Sequence, residues 1–423
     1  MSAALSIAAE SIIPTLLLAL IVPQIVLTAW FIWSVRSRTR AHLARRQQRD
    51  GSETIPAVVV LCLRGCDPTL EEVLAALARQ CHRNWRLRVV VDSTADPAWD
   101  IAHATLARLA AGDQVSWHDY SIMPLAERPA TGSLKCASLR QALATIEPET
   151  QVVALIDADS VVHDQWLLTL VDECMQTGVG AVSGNRWYEP RHDSLPGTVR
   201  AIWNAGAVVQ MTAFGIPWGG SLAVRCEALA ACGWAEVIEA TLCEDTALAA
   251  PLQRAGWRYR FIPALVAVDC DDDVALVPLT RWISRQLLTA RLHHPMWPLV
   301  AIHGLSTSLT LAAAVGTCVV AGVYGPGRSL FLVGGALLAY EATSVLLVLM
   351  IEESIKHALT PQGARFRPLT AGQLLWRCAM LPVTQSVYAV AMLSALATRS
   401  IEWRGIVYEI TRSGGSLEVR IKA

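Results

Sequence analysis

The sequence has no surplus of charge of either sign: 35 basic residues stand against 36 acidic ones in a chain of 423. That balance removes the electrostatic case for a nucleic-acid partner, which needs a basic face to offset phosphate. Charge is also scarce, at 17% of residues against 53% hydrophobic, too little for an ordinary soluble enzyme and too much for a bundle of transport helices. The 11 cysteines include no CxxC pair and no histidine at zinc-ligand spacing, so nothing marks a zinc site. Cys62, Cys66, Cys136, Cys226 and Cys232 read as small buried hydrophobes in a reducing compartment rather than as a disulfide framework. A mixed chain is implied, part globular and part membrane.

Residues 11–35 carry no charge and match the length of a bilayer crossing. The stretch is too long for a signal-peptide core and lacks a basic leader or a small-residue cleavage site, so it reads as a retained membrane helix. The following segment, 36–54, is a basic linker with Arg36, Arg38, Arg40, Arg45, Arg46 and Arg49. By the positive-inside rule these arginines put the next domain in the cytosol, where they can also meet anionic headgroups. Residues 298–398 return to apolar composition, with spans expected at 299–323 and 329–351 around the turn 324–328. Glu341 falls inside the second and either lines an acceptor path or bonds to a neighbouring helix. A weaker run, 378–397, either crosses or folds back as a hairpin, and the basic tail 399–423 favours a return to the cytosolic side.

Between the membrane segments, 55–277 alternates strand and helix. Pro56–Leu63 is a buried strand, Thr69–Gln80 a helix after the start signal Asp67-Pro68-Thr69, and Leu87–Val91 a second strand ending at Asp92. A weaker strand is expected near Val115. The apolar run Val152–Ile156 stops at Asp157-Ala158-Asp159, which puts two carboxylates at the C-terminal edge of a sheet, where open α/β sheets bind ligands. Two carboxylates in a turn suit a hard divalent cation held jointly with substrate phosphates; the bland alternative is a turn that uses Asp for its backbone tolerance. Lys135, at a helix start, is either a phosphate contact or a solvated lysine. Gly219-Gly220-Ser221 lets backbone approach a ligand or another segment. Glu244-Asp245 opens a helix expected to run to Gly256, and capping is its structural alternative. Arg258–Val268 then reads as a strand.

The order of these motifs resembles the family 2 glycosyltransferases of the GT-A fold, within them the membrane-bound branch of ceramide glucosyltransferases and related bacterial glycolipid synthases. The residues carrying the likeness are Asp67, Asp92-Ser93, Lys135, Asp157-Ala158-Asp159, Gly219-Gly220-Ser221, Glu244-Asp245 and the basic-aromatic stretch after Pro278. The resemblance implies an α/β GT-A domain, Rossmann-like with a mostly parallel sheet, cytosolic, and joined to interfacial and transmembrane helices. It implies that Asp92 contacts the uracil or ribose of a nucleotide sugar, with Asp67, Lys135, Asp157, Gly219 and Gly220 in the same donor site. Asp157 and Asp159 match the metal pair for Mg2+ or Mn2+, Asp159 being the direct ligand. Asp245 matches the general base and Glu244 its supporting neighbour.

The family's Q/R-x-x-R-W motif, on an interfacial helix expected at 278–297, is degraded here. Pro278-Leu279-Thr280-Arg281-Trp282 keeps Arg-Trp but opens with proline. An alignment from Arg285-Gln286 keeps the head and Arg291 but has Leu288-Thr289 for Arg-Trp. Both remain open as the donor clamp, and headgroup contact is the alternative for Arg281, Arg285 and Arg291. His293 and His294 read as interface residues.

The function implied is inverting, metal-dependent transfer of a sugar, from a UDP-sugar by the resemblance, to a lipid hydroxyl at the cytosolic face of a bacterial inner membrane. The competing readings are a processive polysaccharide synthase, which needs more spans and an intact clamp, and a non-catalytic membrane protein that binds sugar nucleotides. The sugar and the lipid are not fixed by any short motif.

Overall fold

A computed structural model describes residues 3–47, 54–112, 115–270, 274–324, 327–413 and 416–422. In chain order it comprises α1 (Ala3–Gln47), β1 (Ala57–Leu63), α2 (Leu70–Ala78), β2 (Trp85–Val91), α3 (Pro97–Ala110), β3 (Asp119–Pro124), α4 (Leu134–Leu143), β4 (Val152–Ile156), α5 (Trp166–Cys174), β5 (Val179–Ser183), β6 (Arg186–Tyr188) and α6 (Leu195–Phe214). There follow β7 (Ser221–Arg225), α7 (Cys226–Ala231), α8 (Trp234–Val237), α9 (Ala249–Arg254), β8 (Arg258–Phe261), β9 (Ala267–Asp269), α10 (Leu276–His293), α11 (Trp297–Tyr324), α12 (Gly327–Leu359), α13 (Ala371–Ala397), β10 (Ser400–Trp403), β11 (Ile406–Ser413) and β12 (Ser416–Ile421).

Seven strands form one sheet in the order β3-β2-β1-β4-β7-β5-β8, parallel except at β7, which runs antiparallel to both neighbours. The apolar runs in β1 and β4 bury both faces, because alternate residues of a strand point to opposite sides. Val59 and Leu61 face α2, α3 and α5 through Leu74, Leu106 and Leu167. Val58 and Val60 face Cys136 and Leu139 of α4 and Trp234 of α8. Each such side chain contributes roughly 1.5–3 kcal/mol on burial. Both layers therefore hold the C-terminal strand ends in a fixed row.

Several expected elements are corrected. The strand foreseen near Val115 lies at Asp119–Pro124, on the sheet edge, where its half-exposed residues give no strong apolar signal. Arg258–Val268 is broken by a 3₁₀ turn at Pro263–Leu265 into β8 and β9. The helix expected to run from Cys243 to Gly256 is a 3₁₀ turn, Thr246–Leu248, followed by α9.

The basic segment after residue 35 is no loose linker up to Gln47: α1 continues through it without a break. Arg38 donates to the Phe261 carbonyl at 2.8 Å, while His42 Nδ1 lies 3.1 Å and Arg45 Nη2 2.5 Å from Glu173 of α5, which is fully buried. A buried carboxylate needs such partners to stay charged, and these overcome its burial and hold the Glu173 carboxyl below the usual range. Phe31, Ile32 and Val35 pack beside them against Phe261 and Val266.

Among the described residues four helices are long and apolar enough to cross a membrane, in the ranges Glu10–Gln47, Trp297–Val323, Gly327–Gln362 and Ala371–Ala397. The first three associate as a bundle, with Glu10 bonded to Ser329 at the end far from the sheet. The last differs, because both of its ends touch the catalytic domain or its interfacial helix. At the start, Trp376 Nε1 donates to Thr198 Oγ1 at 3.0 Å, and at the end Arg291 of α10 donates to the carbonyls of Ala395 and Thr398 at 2.7 and 3.0 Å. It therefore lies along α6 and α10 at the base of the domain. The tail is a three-stranded antiparallel sheet, β10-β11-β12, seated on the domain by Gly132 N to Val419 O at 2.8 Å and by Tyr408 beneath Leu134.

Candidate active site

The C-terminal ends of β1, β2 and β4 bring most of the acidic motifs to one edge of the sheet. Asp157 and Asp159 sit where β4 stops, and both carry a cation from the chain itself. Lys135 Nζ, at the start of α4, lies 2.7 Å from Asp157 Oδ1 and 2.8 Å from Glu244 Oε1, bridging the two. Arg186, in β6, grips Asp159 with both terminal nitrogens, the Nη1 contact at 2.8 Å, and stacks over Trp218 at 5.3 Å. Burial opposes ionisation of Asp159, but Arg186 outweighs it and keeps the carboxyl below its ordinary range. The two carboxylates present hard oxygen donors two residues apart, which suits Mg2+ or Mn2+. Among the described residues no group of three or more His, Cys, Asp or Glu side chains is arranged to hold a metal.

Asp245 is held from several sides. Its Oδ2 accepts from Gly219 N at 2.7 Å, and its Oδ1 accepts from Cys243 Sγ at 2.9 Å and Thr246 Oγ1 at 3.0 Å. These donors fix the carboxylate in one orientation. Glu244 beside it is completely buried; burial pushes its carboxyl up in pKa, Lys135 pulls the other way, and Oε2 has no hydrogen-bond partner among the described residues. The glycines serve this packing. A Cβ on Gly219 would sit 2.3 Å from Glu244 Oε1, and one on Gly220 would sit 2.1 Å from the Trp218 ring, so only glycine fits at either place.

At the other end of the edge, Asp92 ends β2 nearly buried. One of its oxygens takes Arg64 and Arg128, the latter at 2.7 Å, while Oδ1 has no partner among the described residues. An orphaned acceptor at this place suits a nucleoside hydroxyl or imide. Asp67 caps α2 through Thr69 and pairs with Arg404 of the tail at 3.1 Å.

The interfacial helix divides its candidate residues. Arg281 is exposed, and Trp282 packs edge-on against Tyr188 and Trp203 at 5.7 and 5.3 Å. Arg285 turns toward the sheet edge and stacks over Trp403 at 5.3 Å, and Gln286 lines a cavity together with Asp245. Arg291 holds the end of α13 as described above. His293 is half-buried, its Nε2 accepts from Leu242 N at 3.1 Å, and the loss of solvent around the ring pushes its pKa down to about 4.

The cavity measures about 560 Å³ and runs from Cys243, Asp245 and Gln286 into the helices, where Leu20, Val300 and Leu347 line it. Four contributors escaped the sequence reading: Arg64, Arg128, Arg186 and Arg404. Arg64 directly follows β1 and Arg186 follows β5 in the polar-aromatic stretch 184–188, so position after a buried strand was the signal available for those two. Arg128 reaches the edge from a sequence-distant loop that no local pattern marks, whereas Arg404 lies in the tail stretch 403–408, which resembles one that follows the last span in such transferases.

A mostly parallel α/β sheet with acidic residues along its C-terminal edge, joined to apolar helices, defines a GT-A-type glycosyltransferase. The chain belongs to glycosyl transferase family 21, whose profile matches residues 16–416; this replaces family 2 as the family and keeps the expected GT-A glycosyltransferase. A comparison with curated proteins found no match. Among solved structures, the mannosyltransferase PcManGT from Pyrobaculum calidifontis, in complex with GDP-Man and Mn2+, is 18% identical, with 91% of this chain and 99% of that chain covered and a TM-score of 0.46. A mycobacterial protein is 16% identical, with 57% of this chain and 78% of that chain covered and a TM-score of 0.39. Likenesses this remote carry nothing about the chemistry of this chain.

Proposed function

We propose that this glycosyltransferase moves a sugar from a nucleotide sugar, a UDP-sugar by the family resemblance, to the hydroxyl of a membrane lipid at the cytosolic face. The observation that carries the reading is the cavity that joins the apolar helices to Asp245. A polymer or a soluble acceptor has no need of an entrance lined by Leu20, Val300 and Leu347, whereas acyl chains fit one. The apolar outer faces of α1, α11 and α12, with Leu18, Leu309 and Phe331 exposed, suit a bilayer.

The proposed chemistry is a single displacement. The lipid oxygen bonds to the anomeric carbon, the bond from that carbon to the diphosphate oxygen breaks with its electron pair on the leaving nucleoside diphosphate, and the hydroxyl proton passes to Asp245. Asp157 and Asp159 would hold Mg2+ or Mn2+, which when bound neutralises charge on the diphosphate. Lys135 and Arg186 must then give up part of their present contacts. Asp92, with its orphaned oxygen, orients the nucleoside.

The test is turnover by the purified full-length protein in detergent with labelled UDP- and GDP-sugars, divalent cation and total membrane lipid. A chloroform-soluble labelled product supports the reading. Label confined to a high-molecular-weight fraction, or nucleotide binding without turnover, overturns it in favour of a polysaccharide synthase or a non-catalytic binder.

A further inference from the structure

The turn between β10 and β11 is the two-residue step Arg404-Gly405, and both residues have positive φ, 51° and 74°. Arg404 is the sole non-glycine residue in that region among the described residues. A long side chain is disfavoured there, so the surroundings must hold it. What holds it is the donor edge of the catalytic sheet. Arg64 Nε donates to the Arg404 carbonyl at 2.8 Å, and the Arg404 guanidinium lies 3.1 Å from Asp67. Trp403 on the same turn lies under Arg285. Arg404, with its side chain 43% exposed, also lies within electrostatic reach of Asp159 and Arg285.

The charge count at this rim is uneven. Arg64, Arg128, Arg285 and Arg404 bring four guanidinium groups, while Asp67 and Asp92 bring two carboxylates. Deeper in the site Lys135 is shared by Asp157 and Glu244, and Arg186 by Asp159 and Asp269, so the excess of cations is confined to the outer rim. There it is positive, planar and located where the strand ends stop, which is the chemistry that grips a diphosphate. The rest of the tail fits a fixed part of the site: Ile406, Tyr408 and Val419 pack with Leu134, beside Lys135, and with Leu288 of α10.

We propose that the tail's Trp403-Arg404 turn forms part of the donor site, with Arg404 and Arg64 gripping the diphosphate of the nucleotide sugar and Arg285, stacked on Trp403, closing the rim. The inference rests on the nucleotide-sugar reading above. Arg404 then touches the leaving group, and its charge is complementary to the dianion released as the sugar departs.

The deciding variant is Arg404→Gly, since glycine tolerates the positive φ and keeps the turn while deleting the guanidinium. Binding of UDP, GDP, UMP and GMP to the full-length protein in detergent is measured by calorimetry, alongside thermal melting, with Arg420→Ala on the exposed outer strand as control. The expected result is a loss of about tenfold or more in affinity for the nucleoside diphosphate. The monophosphate should be nearly unaffected, the melting temperature unchanged or higher, and affinity partly restored by Arg404→Lys. Equal weakening of diphosphate and monophosphate, or no weakening, overturns the clamp while leaving the nucleotide reading standing. Wild-type protein that binds none of the four nucleotides overturns that reading and the clamp with it.

Discussion

The site has two halves of opposite character that meet at Asp245. The proposed donor half, along the ends of β1, β2 and β4, is a lattice of guanidinium and carboxylate groups. The proposed acceptor half, under α6 and α10, is an apolar cavity. Each half contains an adjacent arginine and tryptophan, and the two pairs have different neighbours. On α10, Trp282 is packed among Tyr188 and Trp203 while Arg281 points outward. In the tail, Trp403 and Arg404 lie on a strained turn against Arg285, Arg64 and Asp67. An Arg-Trp dipeptide is therefore no role in itself, because backbone geometry decides what the two side chains meet.

The sharpest way to break the division is at the junction. Asp245→Asn should lower sugar transfer by about 100-fold or more while nucleotide affinity stays within a few-fold. A variant that loses nucleotide binding as well would show that the halves are not separable there. The segment bearing Asp245 also rests on His293, which must remain neutral to accept from Leu242 N. Its folded pKa, about 4, lies below the unfolded value of 6.5. The stabilisation is therefore complete above about pH 6.5 and is lost as pH falls toward 4, by an amount on the order of 3 kcal/mol. Chemical denaturation across that range should show the decline, and His293→Gln should flatten it.

The acceptor half alone is addressed by Gly206→Trp, since Gly206 lines the cavity and a Cβ there meets nothing within 4 Å. Filling it should cut turnover with lipid by roughly tenfold and leave UDP affinity unchanged. Unchanged turnover would remove the cavity from the acceptor path. The smallest effect is expected from Arg281→Ala: a change in stability within about 0.5 kcal/mol and activity within about twofold. A large loss of donor affinity would restore Arg281 to the clamp.

The legible parts of the chain were those with local signals. The apolar runs of β1 and β4 and the carboxylates that end them follow from side-chain period alone. Asp92, Asp157 and Asp245 were found because each sits at a strand or helix boundary. The rest depends on partners distant in sequence. Arg45 looks solvated until Glu173 is placed beside it, and the tail stretch 403–408 does not reveal what Arg404 meets until its turn docks on Arg64. The run 371–397 has the composition of a crossing, and its ends are held by Thr198 and Arg291, contacts that no hydropathy pattern encodes.

The continuity of α1 has a mechanical meaning. From Gln24 to Gln47 the helix contains neither glycine nor proline, and its last turns are fastened to Glu173 inside the catalytic domain. This clamped stretch has no hinge of its own, since the two prolines of α1, Pro14 and Pro23, lie before it. Under the proposed function, with the helix seated in a bilayer, Asp245 would work at one set height above the hydrocarbon and the acceptor would do the travelling. Such an enzyme would measure lipids like a depth gauge, favouring those whose hydroxyl rises to that level and passing over those whose hydroxyl sits deeper or farther out.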